Sequence, residues 1–192
     1  MTNYRERQII GHIDDADLTS DTRAVFEHIV ETRKLEFLPN MFAVMGHSPG
    51  ALEAVAAVGE HVRFKCSLDE SIRELIICQV SGIIGNKYEW RHHISKVPKH
   101  LRSLLCTLEI EQQPDPVGSV LQFARRIVMH EEVSSALMKK LELLLGRPGL
   151  VDVTVMVGYY QLLGNFCKVM GIAVEDEVPL ASVSLENRKL RI

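Results

Sequence analysis

Asn86, Glu89 and His93, in the stretch GNKYEWRHH, are spaced three and four residues apart. That spacing puts all three on one face of a helix. A carboxylate one turn before an imidazole can hydrogen-bond to it and fix its tautomer, which suits proton transfer near neutral pH. Tyr88 and His92 lie on a neighbouring stripe of the same helix, while Trp90 and Arg91 point elsewhere. His92 and His93 cannot share a metal ion, because adjacent helical side chains diverge by roughly 100°. No metal is expected here. Asn86 and Glu89 have a second reading: N-x-x-E is close to a capping box, in which both residues only close off a helix start.

Glu74 is the second carboxylate of interest. It lies twelve residues before Asn86, about 18 Å away along a straight helix. It reaches His93 only if the chain folds back near Gly82 and Gly85. In RELIICQV it would sit among apolar residues, where a carboxylate must be paired or carry a raised pKa. Its partner is then either His93 or a core base such as Arg73.

These residues need helices to position them, and helix signals run through the chain while strand signals are scarce. Residues 20–37 carry Val25, Ile29 and Leu35 behind Ser20 or Asp21 as cap. Ser48-Pro49 opens a second helix, since proline suits the first helical position. Ser67-Leu68-Asp69-Glu70 reads as a capping box before a helix to about Ile84. That helix is apolar over most of its surface and belongs at the centre of the fold. Gly85 ends it in a left-handed turn. The next helix runs from Asn86 to about Val97. EQQPDP, residues 111–116, is a connector, and Asp115-Pro116 starts a helix to about His130. Helices over 131–145 and 150–170 follow, separated by Gly146, Pro148 and Gly149 and closed by Gly171. The prediction is a single all-α domain over 1–192, with seven to nine helices, an N-terminal arm over 1–19 and a C-terminal tail over 173–192.

With 46% hydrophobic and 24% charged residues, the chain reads as a globular protein with a sizeable core. A net charge of −3 argues against a nucleic-acid partner, which calls for a basic face. No apolar run approaches the ~20 residues of a membrane span. Cys66, Cys78, Cys106 and Cys167 form no CxxC pair and read as reduced thiols of a cytoplasmic protein.

Glu74, a glycine break, then Asn86-x-x-Glu89-x-x-x-His93 resembles the signature of the alkylhydroperoxidase D/carboxymuconolactone decarboxylase superfamily. Its peroxidase-type members carry Glu, eleven residues, CxxC, three residues, His. The cysteine positions fall here on Asn86 and Glu89. The string of Tyr88, Glu89, Trp90 and His93 is similar to the decarboxylase-like branch, which lacks the cysteines, and LPNMFAVMGHSPGAL resembles the segment before that family's core helices. The resemblance implies the compact multi-helix fold of that family and a homo-oligomer (trimer, hexamer or dimer). It also implies a cofactor-free lyase or isomerase acting on a small, possibly cyclic, oxo or lactone acid. His93 would carry the proton, Glu89 orient it or share it, and Glu74 tune both. Asn86, Tyr88, Trp90 and His47 would line the substrate pocket, with His47 equally a surface residue at a helix end. Arg91 is the cation close by in sequence that a substrate carboxylate would call for, with solvent or a partner subunit as its other place. The alternatives are a non-catalytic binding member and a thiol peroxidase. The latter is disfavoured because Asn86 and Glu89 can supply neither the attacking nor the resolving thiol.

Overall fold

The computed structural model describes residues 9–179 and 183–185. Eight α-helices account for most of it, with no strand among the described residues. They are α1 (Ser20–Thr32), α2 (Asn40–Met45), α3 (Pro49–Glu60), α4 (Glu70–Ile84), α5 (Lys87–His93), α6 (Lys99–Arg102), α7 (Val117–Val128) and α8 (Ser135–Met170). A π-helical turn, His61–Lys65, extends α3, and a short 3-10 turn, Ile94–Lys96, extends α5.

α4 is the hub. It packs on α5, α7 and α8. Its residues Leu75 to Gly82 are buried without a break, as an all-round apolar helix requires. Gly85 then turns the chain with φ 72°, a left-handed conformation that glycine adopts without a Cβ penalty. The turn doubles α5 back onto α4, and this is what brings residue 93 to residue 74. α8 passes close to the turn because residue 164 is glycine: a Cβ there would lie 2.2 Å from Ile84 Cδ1.

Several local expectations are revised. Thr19, not Ser20 or Asp21, caps α1, its hydroxyl accepting from Thr22 N at 3.2 Å. α1 stops at Thr32 rather than 37, because Lys34 adopts a left-handed φ of 51°. The capping box at Ser67–Glu70 does not form. Ser67 turns away and donates both its amide and its hydroxyl to Asp152 Oδ2, each at 2.8 Å, so a tertiary partner outcompetes the local cap. Asp69 stands at the start of α4 without a side-chain cap. The two expected C-terminal helices do form: α8 comprises two helical runs that meet at a non-helical break at Gly146 (φ 69°, ψ 174°), the first beginning at Ser135 rather than 131, and Gly171 closes the second (φ 67°).

The described part of the tail packs on its own chain: Ile172, Glu175 and Val178 are buried, and Trp90 Nε1 donates to Val183 O at 2.9 Å. Residues 1–8, 180–182 and 186–192 of the expected arm and tail lie outside the described residues.

Candidate active site

α4 and α5 converge on His93. Its Nδ1 is 2.6 Å from Glu74 Oε2, and its Nε2 is 3.4 Å from Glu89 Oε2. All three side chains are at most 5% exposed. The imidazole thus sits between two buried carboxylates, one from each helix. Arg73, the other partner considered for Glu74, instead donates to Leu68 O at 2.5 Å. Burial pushes the Glu74 carboxyl upward, but the charge and hydrogen bond of His93, with Lys96 and Arg63 nearby, more than offset this. The group is held below the ordinary carboxylate range.

A cavity of about 170 Å³ opens against this pair. Glu89 and His93 line it, while Glu74 stands behind the imidazole. Tyr160 meets the His93 ring edge-on at 5.9 Å between centroids, and Tyr159 packs edge-on against Tyr160 at 5.3 Å. Burial drives both phenols upward, that of Tyr159 to about 12, so they remain neutral donors. The volume corresponds to roughly six waters' share of liquid and suits a compact metabolite.

Three cations also line the cavity: Arg33 just beyond α1, Arg63 in the π turn, and Lys96 at the end of α5's extension. None forms an ion pair within 4 Å with a described carboxylate. Arg33 donates to Ala56 O at 3.2 Å and lies over the Phe42 ring. Arg63 lies over the Phe64 ring. Burial pulls the Lys96 ammonium below its ordinary value, with Glu74 pulling the other way.

The expected substrate-contacting residues divide. Tyr88 lines the cavity, but its hydroxyl donates to Glu175 Oε1 at 2.6 Å. Asn86 does not line it. Its Oδ1 accepts from Tyr88 N and Glu89 N at 3.1 and 3.4 Å, so it acts as the α5 cap, with Nδ2 buried and unpartnered. Trp90 packs on the other side of α5, against the backbone near Gly82. His47 lies at the surface with Nε2 3.0 Å from Gly11 O. Arg91 donates to Val178 O. The cations that sequence proximity missed are Arg33, Arg63 and Lys96. Of these, only Lys96 carried a signal, one helical turn after His93.

Glu175 was also missed. It is buried and accepts from Asn40 N (2.6 Å) and Tyr88 Oη, with His92 Nε2 at 2.8 Å. A larger hollow of about 700 Å³ lies beside α1, lined by His12, Asp15, Glu27 and Glu31 among others. The buried, hydrogen-bonded ionisable groups gather at the smaller cavity instead, and proton transfer needs those.

No family model and no curated protein sequence matches the chain. Solved structures do. An uncharacterized peroxidase-related protein from Silicibacter sp. TM1040 superposes with a TM-score of 0.74 at 19% identity, covering 90% of this chain and 93% of that one. A second, from Ralstonia eutropha JMP134, described as an alkylhydroperoxidase AhpD core, gives 0.70 at 21% identity, covering 86% and 91%. The debrominase Bmp8, solved in complex with 2,3,4-tribromopyrrole, gives 0.66 at 15% identity, covering 88% and 92%. The chain therefore has the alkylhydroperoxidase D-like fold that the Glu74-to-His93 signature led us to expect.

Proposed function

We propose that this chain is a carboxymuconolactone decarboxylase-like lyase or isomerase that runs Glu/His acid–base chemistry on a small anionic oxo or lactone acid. One observation carries the reading: a buried imidazole held between two carboxylates faces a cavity that also gathers three cations. Glu74 accepts from Nδ1 and so fixes the ring, leaving Nε2 to exchange a proton with Glu89 or with substrate. Arg33, Arg63 and Lys96 supply charge for a substrate carboxylate and for the oxyanion that grows as an enolate or dienolate forms. In a decarboxylation, the C–C bond to the carboxylate breaks, its electron pair enters the dienolate, and the proton from the His93–Glu89 pair ends on carbon.

Thiol chemistry fits less well. Glu89 and Asn86 occupy the cysteine positions of the peroxidase pattern. Burial pushes the Cys78 and Cys167 thiols upward, away from the thiolate that attacks peroxide. A halogenated pyrrole such as the one bound to Bmp8 would leave the three cations without a carboxylate.

The test is a binding and turnover screen of lactone acids and 2-oxo acids against their methyl esters, with the Arg63→Met/Lys96→Met double variant alongside. The acids bind and the esters bind at least about tenfold more weakly, a charge-assisted contact being worth about 1.5–3 kcal/mol. The double variant loses the preference. Equal binding of acid and ester by the wild type refutes the substrate class.

A further inference from the structure

We propose that His92 is a second proton-transfer residue of this cavity, with Glu175 as the positioning residue that decides which ring nitrogen takes the proton. The proposal rests on the acid–base reading above and narrows it to a two-group proton shift between carbons of an oxo acid.

His92 lines the cavity with a side chain 20% exposed, so it is reachable but not bathed in solvent. Its Nε2 is 2.8 Å from Glu175 Oε2. Glu175 Oε1 is already occupied by the Asn40 amide and the Tyr88 hydroxyl, both at 2.6 Å. Burial alone would raise that carboxyl, but its hydrogen bonds to His92, Tyr88 and Asn40 N more than offset this and keep it ionised. An ionised carboxylate only accepts, so His92 Nε2 carries the hydrogen and Nδ1 is the basic nitrogen. The Tyr88 ring, 4.6 Å away and inclined by 37°, braces the imidazole plane. His93 shows the opposite assignment, because its Nδ1 is the nitrogen committed to a carboxylate, Glu74. Two neighbouring imidazoles, each backed by its own buried carboxylate, therefore line one small cavity with opposite nitrogens available.

A single acid suffices to protonate a dienolate. Moving a proton from one carbon to another is served by a group at each position. His92 Nδ1 takes the proton from the carbon beside the carbonyl. The C–H electron pair becomes the enolate, whose oxygen faces the cations. The His93–Glu89 pair delivers a proton to the distal carbon. Substrate and product are isomers, nothing is oxidised or reduced, and water takes the proton from His92 and returns one to the His93–Glu89 pair. The charged and titratable groups around His92 are Glu175 and Tyr88 in contact, with Glu89, His93, Arg33, Arg63 and Lys96 on the cavity wall.

The experiment uses the full chain with ¹⁵N-labelled histidine and oxalate, a planar dianion that mimics an enediolate, as probe. Long-range proton–nitrogen spectra should show Nε2–H at His92 and Nδ1–H at His93, and oxalate should shift the ring signals of both. Glu175→Gln should scramble the His92 tautomer and leave that of His93 unchanged, a readout that a merely structural role would not move. Deuterium exchange at C3 of oxaloacetate in D₂O gives the catalytic arm. His92→Gln should slow it about a hundredfold or more while its melting curve stays near wild type. His92 signals that ignore oxalate while those of His93 move overturn the proposal and leave the acid–base reading standing, as does exchange by His92→Gln at the wild-type rate. If oxalate moves neither ring, the reading and the proposal fall together. If the wild type does not accelerate exchange, the ring-shift arm decides.

Discussion

Replacing Glu74 with Gln tests the core of the site. The change is nearly isosteric, and the amide oxygen can still accept from His93 Nδ1, now at 2.6 Å from the carboxylate. What is lost is the charge. A hydrogen bond to an ionised group contributes about 1.5–3 kcal/mol and a neutral one about 0.5–1.5, so the difference is about 1–1.5 kcal/mol. Glu89, 3.4 Å from Nε2, keeps the ring from being stranded and holds the figure at that level. Glu74→Ala has no such cushion and should cost about 3–5 kcal/mol, the range for removing one partner of a buried pair. For a chain of this length Glu74→Gln should lower Tm by roughly 2–6 °C. The effect has a pH signature. The Glu74 carboxyl lies below its ordinary value in the folded state, so its stabilisation is fully present above pH about 4.5 and is lost as pH falls through the folded value. The gap between wild type and variant should therefore be widest near neutrality and close on acidification. Calorimetry and urea titration at several pH values measure it, and a double-mutant cycle with His93→Gln should return a coupling of about 0.5–3 kcal/mol. A variant that melts with the wild type at pH 7, together with a coupling near zero, would refute the claim that the pair is a tightly linked buried unit.

Two further outcomes follow from the packing. Asn86→Ala removes the acceptor shared by Tyr88 N and Glu89 N and should cost about 0.5–2 kcal/mol; Asn86→Ser should restore most of both stability and turnover, and turnover that stays lost in a stable Ser variant would instead give Asn86 a direct role with substrate. Gly59→Ala would place a Cβ 2.3 Å from Tyr159 Oη and 2.8 Å from Arg33 Nη2, so it should destabilise by about 1–3 kcal/mol and weaken oxalate binding measured by calorimetry, because both displaced groups line the cavity.

The three-and-four spacing of Asn86, Glu89 and His93 and the glycine at 85 were enough to place the imidazole beside a carboxylate and to anticipate the fold-back toward Glu74, since both depend on local backbone rules. Only half of the capping box forms: Asn86 Oδ1 caps α5, which takes that residue out of the cavity, while the Asn86 amide donates to Ser81 O and the Glu89 carboxylate turns to His93. Ser67 shows where local rules stop: its hydroxyl had a cap available on α4 and chose Asp152, 85 positions later. Arg33, Arg63 and Glu175 escaped for the same reason. Each is an ordinary charged residue in its own segment, and only tertiary packing aims it at α5. Trp90 misled because α5 is buried on more than one side, so a large aromatic there can serve the core instead of the cavity.

The hydrogen bond from Asn40 to Glu175 joins positions 135 apart. Protein synthesis runs from the N-terminus, and domains form largely as their chain becomes available. The early helices emerge with Tyr88 and His92 still lacking their anionic partner, and the tyrosines that brace His93 arrive only with α8. The carboxylate that holds His92 and the ring that braces His93 thus reach α5 only after it has been made, and the cavity wall stays incomplete until they dock.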